Sequence, residues 1–405
     1  YNLPLLRENW GFDSLWERQN KQGEYMRIAI FTDSFLPGVG GTEKAVLGLA
    51  NALAENNEVV VCAPYYSRKS KDDFQFRVLR ANSIKITNND YFAFPFTSCK
   101  FKKELKKFNP EIIHCQSVSP MAKYALSYAK KHNIPVVMTV HTKFKTAFER
   151  SIKSKVIVNA LIKNLVKKLN KVKQVYTVSN DMIDELKSYG YRGEVKVIRN
   201  GATFSRINNL EEVKKLAIQK YNLANEENIF LYVGHIVKFK NLEFTINALK
   251  IIKDRGINFK MLFVGHGFDD DYFKTLCKKL GLEENVIFTG QITDKDLLSS
   301  LYGAGELFLF PSIFDNDPLT IVEAALHHVP AITIKNTGSS ERITNNVSGF
   351  VVENDVQEFA DKIIEAISDK AHLKQIGDEA EKTIPKDWST TAQEYLNEYN
   401  NLITH

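Results

Sequence analysis

The sequence predicts an α/β protein made of two tandem doubly wound domains, each a parallel sheet covered by helices on both faces. Three observations lead there. The chain has 405 residues, more than the roughly 250–300 that one hydrophobic core supports. Short β-branched runs alternate with segments whose apolar residues recur at helical spacing, the pattern of strand–helix–strand units. A polar, charged stretch at 202–226 divides that alternation into two series.

The first series opens with MRIAIF (26–31) as a strand. Residues 1–25 carry charges throughout and lack the apolar centre of a signal peptide, so they read as an N-terminal extension. The loop TDSFLPGVGGTE (32–43) leads into a helix at KAVLGLANALAEN (44–56), and EVVVCAP (58–64) is the next strand. The unit recurs as EIIHCQS (111–117), a helix over 120–132 and PVVMTVHT (135–142). It recurs again as QVYTVS (174–179), a helix over 180–189 and VKVIRNG (195–201). These elements define a domain over 26–201, followed by a linker at 202–226.

The second series runs over 227–386. NIFLYVG (228–234) is a strand and NLEFTINALKIIKDRG (241–256) a helix; FKMLFVGHG (259–267), a helix near 269–280 and NVIFTG (285–290) follow. ELFLFPS (306–312), a helix from about Leu319, PAITI (330–334) and GFVVE (349–353) complete it, and 387–405 reads as a closing amphipathic helix. Ligands of doubly wound sheets lie beyond the carboxyl ends of the strands, so the cleft between two such domains is the expected site.

Composition narrows the classes. Apolar content of 44% and charged content of 25% are those of an ordinary soluble globular chain. Cys62, Cys99, Cys115 and Cys277 are scattered without a Cys-x-x-Cys pair, which suggests neither a disulfide framework nor a zinc site. No apolar run approaches the ~20 residues of a membrane span, and the expectation is a cytoplasmic protein. Net charge is +6, but between Lys143 and Lys173 stand nine lysines, one arginine (Arg150) and one acid (Glu149). Such a block points to an anionic partner or surface. A nucleic acid is disfavoured, because no nucleic-acid-binding motif accompanies the block.

Four places can carry chemistry. In Pro37-Gly38-Val39-Gly40-Gly41-Thr42 the glycines let backbone approach a ligand, and the following helix offers its first amides to an anion. The spacing does not fit G-x-G-x-x-G, which disfavours a dinucleotide oxidoreductase. His114 and His141 each stand at the carboxyl end of a predicted strand, where an imidazole can donate a hydrogen bond or meet developing charge. Lys240, in Gly234-His235-Ile236-Val237-Lys238-Phe239-Lys240-Asn241, sits at a strand-to-helix junction suited to a phosphate. Finally, Asp315 precedes a helix that opens at Pro318 and carries Glu323. The amides of Leu319 and Thr320 would face a diphosphate there, and the two carboxylates could accept from sugar and ribose hydroxyls. Taken one at a time, each has a plainer reading as a turn, a core histidine, a surface lysine or a helix cap.

Together these residues resemble glycosyltransferase family 4, a family of retaining enzymes with the GT-B fold of two Rossmann-like domains. The similarity covers residues 26–385. Its motifs are FLPGVGGTE, EIIHCQS, MTVHT, the Asn200-Gly201 of VIRNGATF, a phosphate clamp ending in Lys240, the turn from Val264 to Gly267, and two acids separated by seven residues. The resemblance implies transfer of a hexose from a UDP-sugar to a hydroxyl, without metal or cofactor. By it, Lys240 and Gly265 belong to the donor site with the amides of Leu319 and Thr320, Glu323 binds the ribose and Asp315 the transferred sugar. Gly40 and Gly41 let the donor pass, and His114 and His141 lie near the reacting centre. Four positions depart from the pattern: His235 replaces the clamp arginine, Asp315 a glutamate, Pro318 a glycine, and Cys115-Gln116 the end of a His-x-His triplet. They leave open two other readings, a sugar-nucleotide 2-epimerase of the same fold and a degenerate, non-catalytic binding module.

HTKFK and the His-x-Gln triplet are similar to family members that glucosylate diacylglycerol. The segment SKVIVNALIKNLVKKLNK places Val156, Ile157, Ala160, Leu161, Leu165 and Leu169 at near-helical spacing, with Lys155, Lys163, Lys167 and Lys168 among them. A second basic stretch, Lys100 to Phe108, interleaves lysines with aromatics. A basic amphipathic helix lies in an anionic membrane interface, so one expectation is a peripheral enzyme on the inner face of the plasma membrane with a lipid acceptor. The other is that the apolar stripe packs on its own domain.

Overall fold

A computed structural model gives the fold and describes residues 25–38, 40–66, 73–86, 91–207, 209–223 and 228–404. The N-terminal extension, apart from Tyr25, and Val39 of the glycine-rich loop lie outside the described residues.

The first sheet has seven strands: β1 (Arg27–Phe31), β2 (Glu58–Pro64), β3 (Arg77–Ala81), β6 (Ile112–Cys115), β7 (Val136–Val140), β8 (Gln174–Thr177) and β9 (Val195–Val197). Their order is β3-β2-β1-β6-β7-β8-β9, and the pairs around β1, β2 and β6 are parallel. β6 and β7 are buried at every position, as strands covered on both faces must be. Helix Gly41–Ala54 connects β1 to β2 and buries Ala45, Val46, Leu49, Ala50 and Leu53. A short antiparallel hairpin of β4 (Ser83–Lys85) and β5 (Tyr91–Ala93) stands outside this sheet.

The second sheet has six strands: β10 (Asn228–Val233), β11 (Phe259–Val264), β12 (Val286–Gly290), β13 (Leu307–Phe310), β14 (Ala331–Ile334) and β15 (Gly349–Val352). Every pairing is parallel, in the order β12-β11-β10-β13-β14-β15. The order reverses between β10 and β13, and such a switch point opens a crevice at the carboxyl ends of the strands. Phe230, Tyr232, Phe259, Phe263 and Phe308 are among the aromatic residues of its core. The two Rossmann-like α/β domains are thus the class the alternation predicts.

By packing, the chain divides into two compact units. Unit 1 takes the described part of Tyr1–Thr139, Lys167–Val175 and Ala392–His405; unit 2 takes Val140–Val166 and Tyr176–Thr391. The polar stretch at 202–226 holds helices Leu210–Val213 and Lys215–Tyr221, and the Ala217 amide donates to Ser300 Oγ at 2.7 Å. Helix Phe144–Ser151 fully buries none of its residues; its apolar positions Phe144, Ala147 and Phe148 are partly buried. No helix of the described residues is long and apolar enough to cross a membrane.

Candidate active site

Within unit 2, the loops after β10, β11, β13 and β14 meet at the switch point. Two glycines make the first contact. Gly265 has φ +142, and a Cβ there would lie 1.9 Å from the Gly234 carbonyl oxygen; a Cβ on Gly267 would lie 2.0 Å from that of Ile236. The loop carrying His235 is therefore pressed backbone to backbone against the loop after β11. Gly265, expected at the donor, has this packing reason of its own, and His235 is exposed.

The chain then turns through Lys238–Lys240, and Asn241, at φ 62, starts helix Leu242–Asp254. That turn aims Lys240 across to the loop after β13. Its Nζ donates to Asp315 Oδ2 at 2.7 Å, and both side chains are largely buried. Burial pushes the Asp315 carboxyl up; Lys240, Ser312 and His235 outweigh it and hold the group below its ordinary value. Asp315 is an anion here, joined to the one lysine expected to meet phosphate.

The next two residues lock the loop. Asn316 Nδ2 donates to the His141 carbonyl at 2.6 Å. Asp317, with no side-chain exposure, accepts from Arg342 Nη2 at 2.8 Å and from the Asn200 amide at 2.9 Å. Arg342 also reaches the carbonyls of Asn200 and Ile384, so the buried charges are paired and hydrogen-bonded. A Cβ on Gly338 would lie 2.4 Å from the Asn316 carbonyl oxygen, and Ser339 Oγ donates to the Asp315 carbonyl at 3.3 Å.

Pro318 caps helix Leu319–Leu326. The first amides of that helix, Leu319 and Thr320, have no intrahelical acceptor and carry the positive end of its dipole. Glu323 is fully buried; its carboxylate accepts from Thr203 Oγ1 at 2.5 Å and from Tyr302 OH at 2.8 Å. His141 is half-buried, and burial pushes its imidazole down to about 4 despite the opposing charge of Asp317. It is neutral at pH 7 and can donate a hydrogen bond without carrying charge.

Structure and expectation part at His114. It lies inside β6, fully buried, with Nδ1 2.6 Å from Tyr399 OH and Nε2 2.7 Å from Thr139 Oγ1. Nδ1 thus meets the final helix, Trp388–Ile403, while Nε2 is taken by Thr139 of β7. Gly40 is the residue preceding helix Gly41–Ala54, and a Cβ on Gly41 would meet nothing within 4 Å.

The basic helix Lys155–Leu169 splits the expected stripe. Val158, Ile162, Leu165 and Leu169 are buried, whereas Val156 is 79% exposed and Ile157 52%. Lys155, Lys163 and Lys167 are exposed. Lys168 departs from the expectation of a surface contact: it is half-buried and its ammonium donates to the Val118 carbonyl.

Sequence reasoning missed the Asp317–Arg342 pair, because nothing in a sequence ties residues 25 positions apart. It also missed the placement of Arg150, counted only within a basic block. A further cavity in unit 2, of about 700 Å³, is lined by Asp181, Asp184, Glu341, Glu353 and Glu358 against Lys335. Its acidic walls repel a diphosphate, and it touches none of Lys240, Asp315 or Glu323.

Comparison with known proteins agrees with the fold. Residues 39–206 match the family model "Glycosyltransferase Family 4", and residues 213–383 match "Glycosyl transferases group 1". An alpha-monoglucosyldiacylglycerol synthase of Streptococcus pneumoniae is 26% identical over 84% of this chain and 78% of its own length. A GDP-mannose-dependent alpha-mannosyltransferase of Corynebacterium glutamicum is 23% identical over 93% of this chain and 89% of its own. In fold, HepE of Anabaena, solved in complex with UDP and glucose, superposes with a TM-score of 0.74 at 20% identity, covering 92% of this chain and 99% of that one. The chain belongs to the family 4 glycosyltransferases and is a glycosyltransferase with two Rossmann-like domains.

Proposed function

We propose that this enzyme moves a hexose, with retention, from a UDP-sugar to a hydroxyl of a membrane lipid. The observation that carries the donor half is the Lys240–Asp315 pair beside the amides of Leu319 and Thr320. A cation, a helix N-terminus and a carboxylate are what a sugar–diphosphate calls for. No metal or cofactor is needed in this reading, since Lys240 and the helix amides meet the diphosphate. HepE of similar fold binds UDP and glucose, which favours uridine and hexose. The acceptor oxygen attacks the anomeric carbon on the face the diphosphate leaves. The C–O bond to the β-phosphate breaks, and the acceptor's proton passes to the departing phosphate oxygen. Neutral His141 holds a sugar hydroxyl, and Glu323 exchanges Thr203 or Tyr302 for the ribose. Catalysis then rests on positioning and on stabilising the leaving group.

Two surfaces support a lipid acceptor, beside the S. pneumoniae relative's name. In the β4–β5 hairpin Ile84 pairs with Phe92, so Ile84, Ile86, Phe92 and Phe94 share one face by strand alternation. Their exposure runs from 37% for Phe94 to 62% for Ile86, an apolar face turned to solvent. Helix Cys99–Phe108 follows with exposed Lys100, Lys103, Lys106 and Lys107. Val156 and Ile157 with Lys155 and Lys163 form the second surface. Such a protein is peripheral on the inner leaflet, where each Lys near the surface contributes about 1 kcal/mol.

The test offers UDP-glucose and GDP-mannose to the enzyme with diacylglycerol in vesicles, with and without anionic lipid, and follows both lipid product and flotation. Transfer from UDP-glucose to lipid, stronger with anionic lipid, is expected. Glycosylation of soluble acceptors only, with no vesicle binding, sinks the lipid half. Use of GDP-mannose alone sinks the uridine assignment.

A further inference from the structure

We infer that Arg150 is a cation of the donor site, binding the diphosphate from the side opposite Lys240's own loop. Helix Phe144–Ser151 is fixed within unit 2: Lys143 pairs with Asp181 at 2.5 Å, and the Lys145 amide donates to Tyr189 OH at 2.9 Å. From its last turn Arg150 lays its guanidinium 4.0 Å from the ring centre of Phe239 and 4.1 Å from that of Phe314. These two phenylalanines immediately precede Lys240 and Asp315 in the chain, so the guanidinium rests on the residues next to the ion pair.

Three features single it out. The guanidinium carbon lies over the faces of two rings set 81° apart, and among the described residues none makes a hydrogen bond or ion pair with its N–H groups. Cation–π contact with two rings anchors an arginine while leaving its N–H donors for an anion. Charge balance points the same way. Lys240 is already neutralised by Asp315, and the helix N-terminus supplies only about half a charge. A sugar–diphosphate brings about two negative charges, and His235 lacks the forked guanidinium of an arginine. Asp315 acts on Arg150 electrostatically, which places the two within Coulomb range. Without Arg150 the site is short of positive charge for the ligand it is read to take.

The inference rests on the donor reading above, and the experiment separates the two. Calorimetric titration with UDP, GDP, UMP and uridine is run on the wild type and on Arg150→Ala, Arg150→Lys and Arg150→Gln. The last keeps a planar, stackable group should the alanine variant not fold. In the wild type a nucleoside diphosphate binds. In Arg150→Ala and Arg150→Gln its affinity falls about tenfold or more while uridine binding moves less than about twofold, and Arg150→Lys recovers only part of the loss. Loss of diphosphate and uridine affinity in equal proportion makes Arg150 a strut between two loops and overturns the inference, as does unchanged diphosphate affinity. A wild type that binds neither UDP nor GDP overturns the donor reading as well.

Discussion

Lys240 and Asp315, 75 positions apart, are joined by a direct ion pair: Nζ stands 2.7 Å from Oδ2 at the carboxyl end of the second sheet. In the proposed reading the cation meets the phosphate and the anion the sugar. The two side chains should therefore fail differently. Lys240→Ala leaves an unpaired carboxylate facing phosphate, and the KM for the sugar donor rises about tenfold or more. Asp315→Asn keeps the shape and releases the lysine; kcat falls about tenfold to a hundredfold with KM shifted less than about threefold. Steady-state kinetics decide it, and equal losses in KM for both variants would remove the division of labour.

Gly265 and Gly41 make a matched pair of glycine substitutions. Gly265→Ala drives a methyl group to 1.9 Å from the Gly234 carbonyl oxygen at a positive φ, whereas Gly41→Ala meets nothing. Urea denaturation should show the first destabilised by about 2–4 kcal/mol and the second within about 1 kcal/mol of wild type. A Gly265→Ala protein as stable as the parent would mean that the two loops do not press together as described.

Arg342 and Asp317 are a buried pair whose side chains are 6% and 0% exposed. Arg342→Ala strands the aspartate, so a loss of about 3–5 kcal/mol is expected. Arg342→Lys keeps the charge but loses the fork and should fall between the two. Chemical unfolding monitored by tryptophan fluorescence reads both. A loss below about 1 kcal/mol for the alanine variant would show the pair to be solvated.

His141 gives a pH signature. Its folded value of about 4 lies below the ordinary 6.5, so between these values the unfolded chain binds a proton that the folded one does not. Stability from this group is whole above pH 6.5 and is lost as pH falls toward 4. Asp33, raised to about 6 by burial against the pull of Ser117, Met121 and Lys168, has the opposite slope over part of the same range. Comparison of the wild type with His141→Gln cancels the Asp33 contribution, which both carry. The difference in unfolding free energy between pH 7 and pH 4.5 should be roughly 2–3 kcal/mol larger in the wild type. Parallel curves for the two proteins would contradict a half-buried, neutral imidazole.

Much of the fold was legible because strand and helix periods are local properties. MRIAIF, EVVVCAP and FKMLFVGHG announce strands through β-branched and apolar runs, and the two series emerge from their alternation. Helix Phe144–Ser151 was not legible, since its apolar positions Phe144, Ala147 and Phe148 span only one turn and are no more than partly buried. The donor-side candidates Lys240, Asp315, Leu319, Thr320 and Glu323 fall on loops and a helix start that periodicity locates well. What periodicity cannot give is a long-range partner. His114 was expected near substrate because it ends a strand, yet Tyr399, 285 positions on, closes over it. Arg150 was one charge among many until Phe239 and Phe314 were found beneath it.

The most direct test is a crystal structure of the wild-type enzyme soaked with UDP-glucose. The expected density places the diphosphate on the amides of Leu319 and Thr320 with Lys240 in contact and the ribose at Glu323. A nucleotide sugar bound elsewhere, for instance in the acidic cavity by Glu341 and Glu353, with the Lys240–Asp315 pair undisturbed, would contradict the assignment of this site.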